Sequence, residues 1–249
     1  KYCLNADVTE KWYTMPQPVG EYRISSMNLE VNRTRVNMLI RDALNAADDD
    51  VDFTKYDFGV IQMGVNISDY GMVGLCGHPG MLGWTDPSLL VTNSGDVLDE
   101  GVAIFTAQAH AGTNFHDISH ILGGIKDGKR QVPCLYDHDL QAQPGPEIKA
   151  AINLGYFDPL SCHYYKYELP PPGLCSWTKI RLGWMDPAKI RTVNLGETTE
   201  VMLGPLEDIT AETLVIKIPV SAQTYYLIEN RAPIGFDVNL PSHGVLIMY

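Results

Sequence analysis

The sequence predicts a mixed α/β (α+β) domain followed by a β-rich C-terminal unit. Three observations lead there. Val36, Leu39, Ile40, Leu44 and Ala47 recur at helical spacing over residues 32–47. The apolar run at 58–65 reads as a buried strand. After residue 190 the runs at 192–195, 200–203, 213–218, 224–229 and 244–249 all read as short strands separated by turn residues. The division is placed at residues 1–189 and 190–249.

Between these landmarks the elements follow in order. The first forty residues contain a polar, turn-rich lead at Met15-Pro16-Gln17-Pro18. The acidic run Asp48, Asp49, Asp50 and Asp52 ends the first helix and is read as a solvated helix end, with a calcium site as the alternative. Glycine and proline density over residues 69–88 predicts a long loop without regular structure. Residues 97–106 fit either a strand or a helix. Thr113 or Asn114 is placed to cap a short helix carrying Phe115, Ile118, Ile121 and Leu122, which Gly123-Gly124 closes. Residues 125–172 read as loop-rich, with a helix at 146–154, and a further helix spans 175–182 before Gly183.

Composition narrows the function classes. Of 249 residues, 45% are hydrophobic, enough for a sizeable core, and the net charge is -12 without any Lys/Arg run, which argues against a nucleic-acid partner. No apolar run approaches the roughly 18–20 residues that span a bilayer. The opening Lys1-Tyr2-Cys3, without a start Met, reads as a processed chain or part of a larger one. Five cysteines (Cys3, Cys76, Cys134, Cys162, Cys175) and the sequons at Asn32 and Asn66 tilt the reading towards a secreted glycoprotein. A Cys134–Cys162 disulfide is one candidate pairing. His78, His110, His163 and His243 read as surface or hydrogen-bonded residues. Tyr164 and Tyr165 read as packing residues, with oxyanion donation as the alternative, and Glu229 with Arg231 as a structural ion pair.

The chemistry concentrates in Asn114-Phe115-His116-Asp117-Ile118-Ser119-His120-Ile121-Leu122-Gly123. His116 and His120, four residues apart on a helix, share one face and can reach a single cation. Neutral imidazole suits Zn2+, and a catalytic zinc site adds a third protein ligand and leaves a position for water. Asp117 stands where H-E-x-x-H helices carry their general base, one methylene shorter. Gly123, three residues after His120, fits a chain that turns beneath the metal to deliver a third ligand.

The chain resembles the immune inhibitor A family of secreted, metzincin-like zinc metallopeptidases. His116, His120, Leu122 and Gly123 match its H-E-F-G-H-x-L-G motif. Leu135-Tyr136-Asp137 is similar to the L-Y-D that follows, residues 177–184 to the K-x-x-L-G-W block, and residues 225–231 to the Y-Y-L-x-E-N-R strand. Gly235-Phe236-Asp237, residues 244–247, Val51-Asp52-Phe53 with Tyr56-Asp57, and residues 12–16 continue the likeness in order.

The resemblance implies a zinc peptidase domain with a central mixed sheet and an active-site helix, acting on protein or peptide substrates. It also implies an Asp third ligand ten residues after the first His. Lys126 stands at that position here, so Asp127 is the preferred substitute. Residues 124–131 read as an insertion, and if they shift the register, Cys134 takes the ligand position; Asp137 and His138 are further candidates. Leu160 replaces the methionine of the turn under the metal. These departures favour a rival expectation, a degenerate peptidase-like domain with a structural or adhesive role in a larger extracellular protein or assembly.

Overall fold

The computed structural model describes residues 4–24, 31–80, 85–136 and 154–249. It is a mixed α/β structure with several sheets and few helices. The helix expected at 146–154 lies almost wholly outside the described residues, as do Cys3, Asp137 and His138. By contact the chain forms two compact units, residues 1–108 and 109–249. No helix among the described residues is long and apolar enough to cross a membrane.

In the first unit, helices α1 (Val19–Tyr22) and α2 (Arg33–Ala47) precede strand β1 (Phe58–Gln62); helix α3 (Ile67–Tyr70) and strands β2 (Gly74–His78) and β3 (Gly101–Phe105) follow. The sheet order is β1-β3-β2, with β1 parallel and β2 antiparallel to β3, so the sheet is mixed. Helix α2 starts at Asn32, whose side chain accepts from the Arg35 N–H at 3.1 Å and so satisfies one donor that the first helical turn leaves open. The face carrying Val36, Leu39, Ile40 and Leu44 is buried in one core with Leu75, Leu98, Val102 and Ile104. Each such side chain contributes about 1.5–3 kcal/mol on burial. The ambiguous segment at 97–106 resolves as strand β3, buried at every residue.

Strand β2 corrects the loop expected at 69–88. Its glycines serve close packing instead of turning. A Cβ on Gly74 would sit 2.6 Å from Phe105 Cδ1, and one on Gly77 would sit 2.9 Å from Ile40 Cδ1. The acidic run is engaged locally. Asp48 accepts from the Ser94 N–H and hydroxyl, Asp50 pairs with Lys11, and Asp52 caps residues 53–55.

The second unit opens with helix α4 (Ala111–Leu122) and a small hairpin, β4 (Ile125–Lys126) with β5 (Lys129–Arg130). Helix α5 (Ser176–Arg181) follows, and Gly183, at φ +70°, turns the chain out of it. Strands β6 (Ile190–Thr192), β7 (Val215–Pro219), β8 (Tyr225–Arg231) and β9 (Gly244–Met248) make a four-stranded sheet in that order. Leu214, Val215, Leu227 and Met248 bury one side of it with Cys175, Met185 and Leu206. Residues 200–203, expected as a strand, remain irregular; the chain forms a bridge to the sheet at Pro205, opposite Asn230 of the inner strand β8. Proline offers no N–H to a ladder, so the contact goes no further in that register than the Leu206 N–H donating to the Asn230 carbonyl at 2.8 Å.

Candidate metal centre

Helix α4 begins earlier than Thr113 or Asn114. Its cap is His110, whose Nδ1 accepts from the Gly112 N–H at 2.8 Å while Nε2 donates to the Leu169 carbonyl at 2.9 Å. An imidazole nitrogen thus does the work usually given to a Ser or Asp oxygen. The helix ends at Gly123, and Gly124 takes φ +66°, the left-handed conformation expected there.

His116 and His120 point into the unit and are 2% and 1% exposed. His116 Nδ1 donates to the Pro159 carbonyl at 2.9 Å, and His120 Nδ1 donates to the Val132 carbonyl at 2.6 Å. Carbonyls only accept, so both rings carry their proton on Nδ1 and present an Nε2 lone pair. Those two Nε2 atoms lie 3.0 Å apart. Two lone pairs at that distance repel unless a cation sits against both.

The third side chain placed to serve as a donor is Cys134. Its Sγ is 3.6 Å from His116 Nε2 and 3.4 Å from His120 Nε2, and the three donor atoms form a metal-competent group. Zinc bonds of about 2.05 Å to nitrogen and 2.3 Å to sulfur, at the tetrahedral angle, put the nitrogens about 3.3 Å apart and nitrogen and sulfur about 3.6 Å apart. The observed separations fit that size, and a His2Cys set with both imidazoles buried suits zinc better than a hard cation.

Asp127, the sequence-preferred third ligand, is not brought to the pair. It sits exposed at the turn of the β4–β5 hairpin, with φ 51°. The reason is local. The Gln131 N–H donates to the Gly124 carbonyl at 3.0 Å, so residues 125–130 are extruded as a hairpin and the chain resumes where it left. Val132 then packs on Gly123, where a Cβ would lie 2.6 Å from Val132 Cγ2. That approach sets the Val132 carbonyl on His120 and delivers Cys134 two residues later.

The other wall is the turn at 158–161. Asp158 is fully buried and accepts from the Leu160 and Cys175 N–H groups and the Thr178 hydroxyl at 2.7–2.8 Å. The turn it fixes aims the Pro159 carbonyl at His116. Leu160 is buried with Val132 and Leu174, forming an apolar floor. Cys134 and Cys162 are both free thiols, so the disulfide considered between them is not formed. Cys162 instead donates to the Tyr164 carbonyl at 3.5 Å.

Three further residues belong to the site. Asp117, next to His116, is 6% exposed, and its charge acts on Cys134 and Tyr136. Tyr136 places its hydroxyl 3.5 Å from His116 Nε2 and hydrogen-bonds with Cys134. His163 packs its ring 4.4 Å from that of His116, with Nδ1 3.1 Å from the Thr113 hydroxyl. The sequence offered Tyr136 only as part of L-Y-D and His163 only as a lone histidine.

Burial sets the ionisation of the metal-free site. It pushes the Cys134 thiol up to about 11, holds His116 well below the usual imidazole range, and brings His163 down to about 4. Both histidines are neutral when folded and protonate more readily when unfolded. Their contribution to stability is therefore complete above about pH 6.5 and is lost as pH falls from there towards 4. Each costs about 1.4 kcal/mol per pH unit in that window. Denaturant midpoints of chelator-treated protein should fall between pH 7 and 5, and His163→Gln should make the fall shallower. An unchanged midpoint over that interval would contradict a His163 that is neutral in the folded chain.

Comparison with protein-family models, with curated proteins and with solved structures returns no match for this chain.

Proposed function

We propose that this chain is a secreted, zinc-dependent peptidase-type domain of metzincin-like build, similar to the immune inhibitor A family, acting on protein or peptide substrates. The observation that carries the reading is the convergence of His116, His120 and Cys134, with both imidazoles oriented by backbone carbonyls. His116, His120 and Cys134 would hold the ion. Zinc bound there would acidify a water and polarise a substrate carbonyl.

The protein's own groups do the rest. The Pro159 and Val132 carbonyls keep the Nε2 lone pairs aimed inward, as outer partners of metal-bound histidines generally do. Val132 and Leu160 exclude bulk water from below. Asp117, buried beside the ligands, takes the proton of the attacking water and passes it to the leaving amine.

A second reading, a peptidase-like domain that keeps zinc without turnover, is favoured by a specific feature. The third donor is a thiolate, which gives more charge to the ion than the Asp of the resembled family and weakens its pull on a water. Hydrolysis of an unfolded protein by the zinc-loaded chain separates the two. Activity should be lost with a chelator and fall by about 10²- to 10⁴-fold in Asp117→Ala. Zinc-loaded chain without hydrolysis would leave the second reading, and activity indifferent to Asp117→Ala would remove Asp117 from the chemistry.

A further inference from the structure

The β4–β5 hairpin stands out from the chain with its charge exposed. Asp127 and Gly128, at φ 51° and 71°, form its two-residue turn, and two left-handed residues in succession are what a type I′ turn requires. The pairing sets Lys126 directly opposite Lys129, and Ile125 opposite Arg130. The bond from the Gln131 N–H to the Gly124 carbonyl closes its base, four residues after His120 and three before Cys134. The hairpin therefore leaves the chain between candidate metal donors.

Its charge runs against that of the whole chain. Residues 126–130 carry three cations and one carboxylate, whereas the chain carries 18 basic and 30 acidic residues. Lys126 and Lys129 are exposed, and neither has an ion pair among the described residues. Like charges directly opposite one another on paired strands repel. An anion set against both would relieve that repulsion. Arg130 is half-buried on the other face of the hairpin, and its charge reaches Cys134, Tyr136 and His116. Positive potential thus continues from the hairpin tip to the metal centre.

We infer that the β4–β5 hairpin is a docking element for an acidic segment of the protein or peptide substrate, held beside the metal centre. This rests on the peptidase reading and deepens it by naming a substrate class. Lys126 and Lys129 pair with carboxylates of the segment, and Arg130 extends the same preference towards the metal. The net charge of -12 repels acidic peptides in general, so a preference for one marks a local site.

Fluorescence anisotropy on the metal-free chain tests this where neither zinc nor turnover enters. Two labelled short peptides are compared, one with Glu at alternate positions and its counterpart with Gln there. At low salt the Glu peptide should bind about fivefold more tightly, and the advantage should shrink as salt screens it. Lys126→Gln combined with Lys129→Gln should remove most of that advantage. This double variant keeps the Asp127-Gly128 turn and relieves the repulsion, so its denaturant midpoint should not fall. Equal binding of the two peptides by the unaltered chain would overturn the proposal. An advantage that survives in the double variant would overturn it too, placing the acidic site elsewhere. A single-stranded oligonucleotide bound more tightly than the Glu peptide would overturn it in favour of a nucleic-acid surface. Absence of zinc binding or hydrolysis, with the Glu preference intact, would overturn the peptidase reading alone and leave the hairpin as a site for an acidic partner.

Discussion

Replacing Arg231 with leucine should lower the unfolding free energy by about 3–5 kcal/mol, the cost of stranding buried charge. The guanidinium is 1% exposed and all five of its N–H groups are used. Nε and Nη2 grip Asp237 at 2.7 and 2.6 Å. Nη1 donates to Glu229 at 3.1 Å and to the Phe157 carbonyl at 2.6 Å, and Nη2 also donates to the Gly173 carbonyl at 2.9 Å. Glu229 and Asp237 are 0% and 1% exposed, so removing the cation leaves two carboxylates without a counter-charge. Against a typical total of about 5–15 kcal/mol, that is a large share.

The effect should reach the metal centre. Arg231 holds the Phe157 carbonyl, one residue before Asp158 and two before Pro159, whose own carbonyl orients His116. Arg231→Lys should also destabilise, because an ammonium cannot grip Asp237 with two parallel bonds. The triple change Arg231→Met, Glu229→Gln and Asp237→Asn should recover part of the loss. Denaturant midpoints check all three, and an Arg231→Leu midpoint equal to that of the unaltered chain would refute the coupling.

Removing the Cys134 thiol should weaken zinc binding on the order of a hundredfold. Structural zinc sites bind with about 10–16 kcal/mol over four ligands, so one ligand is worth about 3 kcal/mol. The companion variant is Asp127→Ala, which should leave zinc affinity unchanged because Asp127 sits exposed on the extruded hairpin. Competition titration with a chromophoric chelator measures both. The opposite pattern, affinity lost with Asp127 and kept without Cys134, would return the third position to the hairpin.

The contrast between Asp127 and Cys134 shows where the sequence could be read and where it could not. His116 and His120 were legible because four residues on a helix guarantee a shared face. Helix α2 was legible because its buried residues keep one period from Val36 to Ala47. The third candidate donor, Cys134, depends instead on a bond between Gly124 and Gln131 that loops six residues away, and counting along the chain cannot see a loop that closes on itself. Strand β2 was hidden for a related reason. Gly74 and Gly77 carry the composition of a turn, and only the side chains of Phe105 and Ile40 explain why nothing larger fits. The early start of α4 escaped because a histidine cap has no place among the usual cap residues. Tyr136 escaped because its place beside His116 is set by the Leu135–Leu160 bond, between residues far apart in sequence. The pairing of Glu229 with Arg231 was foreseen, and Asp237, from the neighbouring Gly-Phe-Asp block, completes it.

Zinc content tests the metal centre most directly. Purified chain, stripped with a chelator, resupplied with zinc and dialysed free of excess, should hold close to one zinc per chain by elemental analysis, and His120→Ala should hold none. An unaltered chain that retains no zinc after resupply would contradict the convergence of His116, His120 and Cys134 on a metal ion.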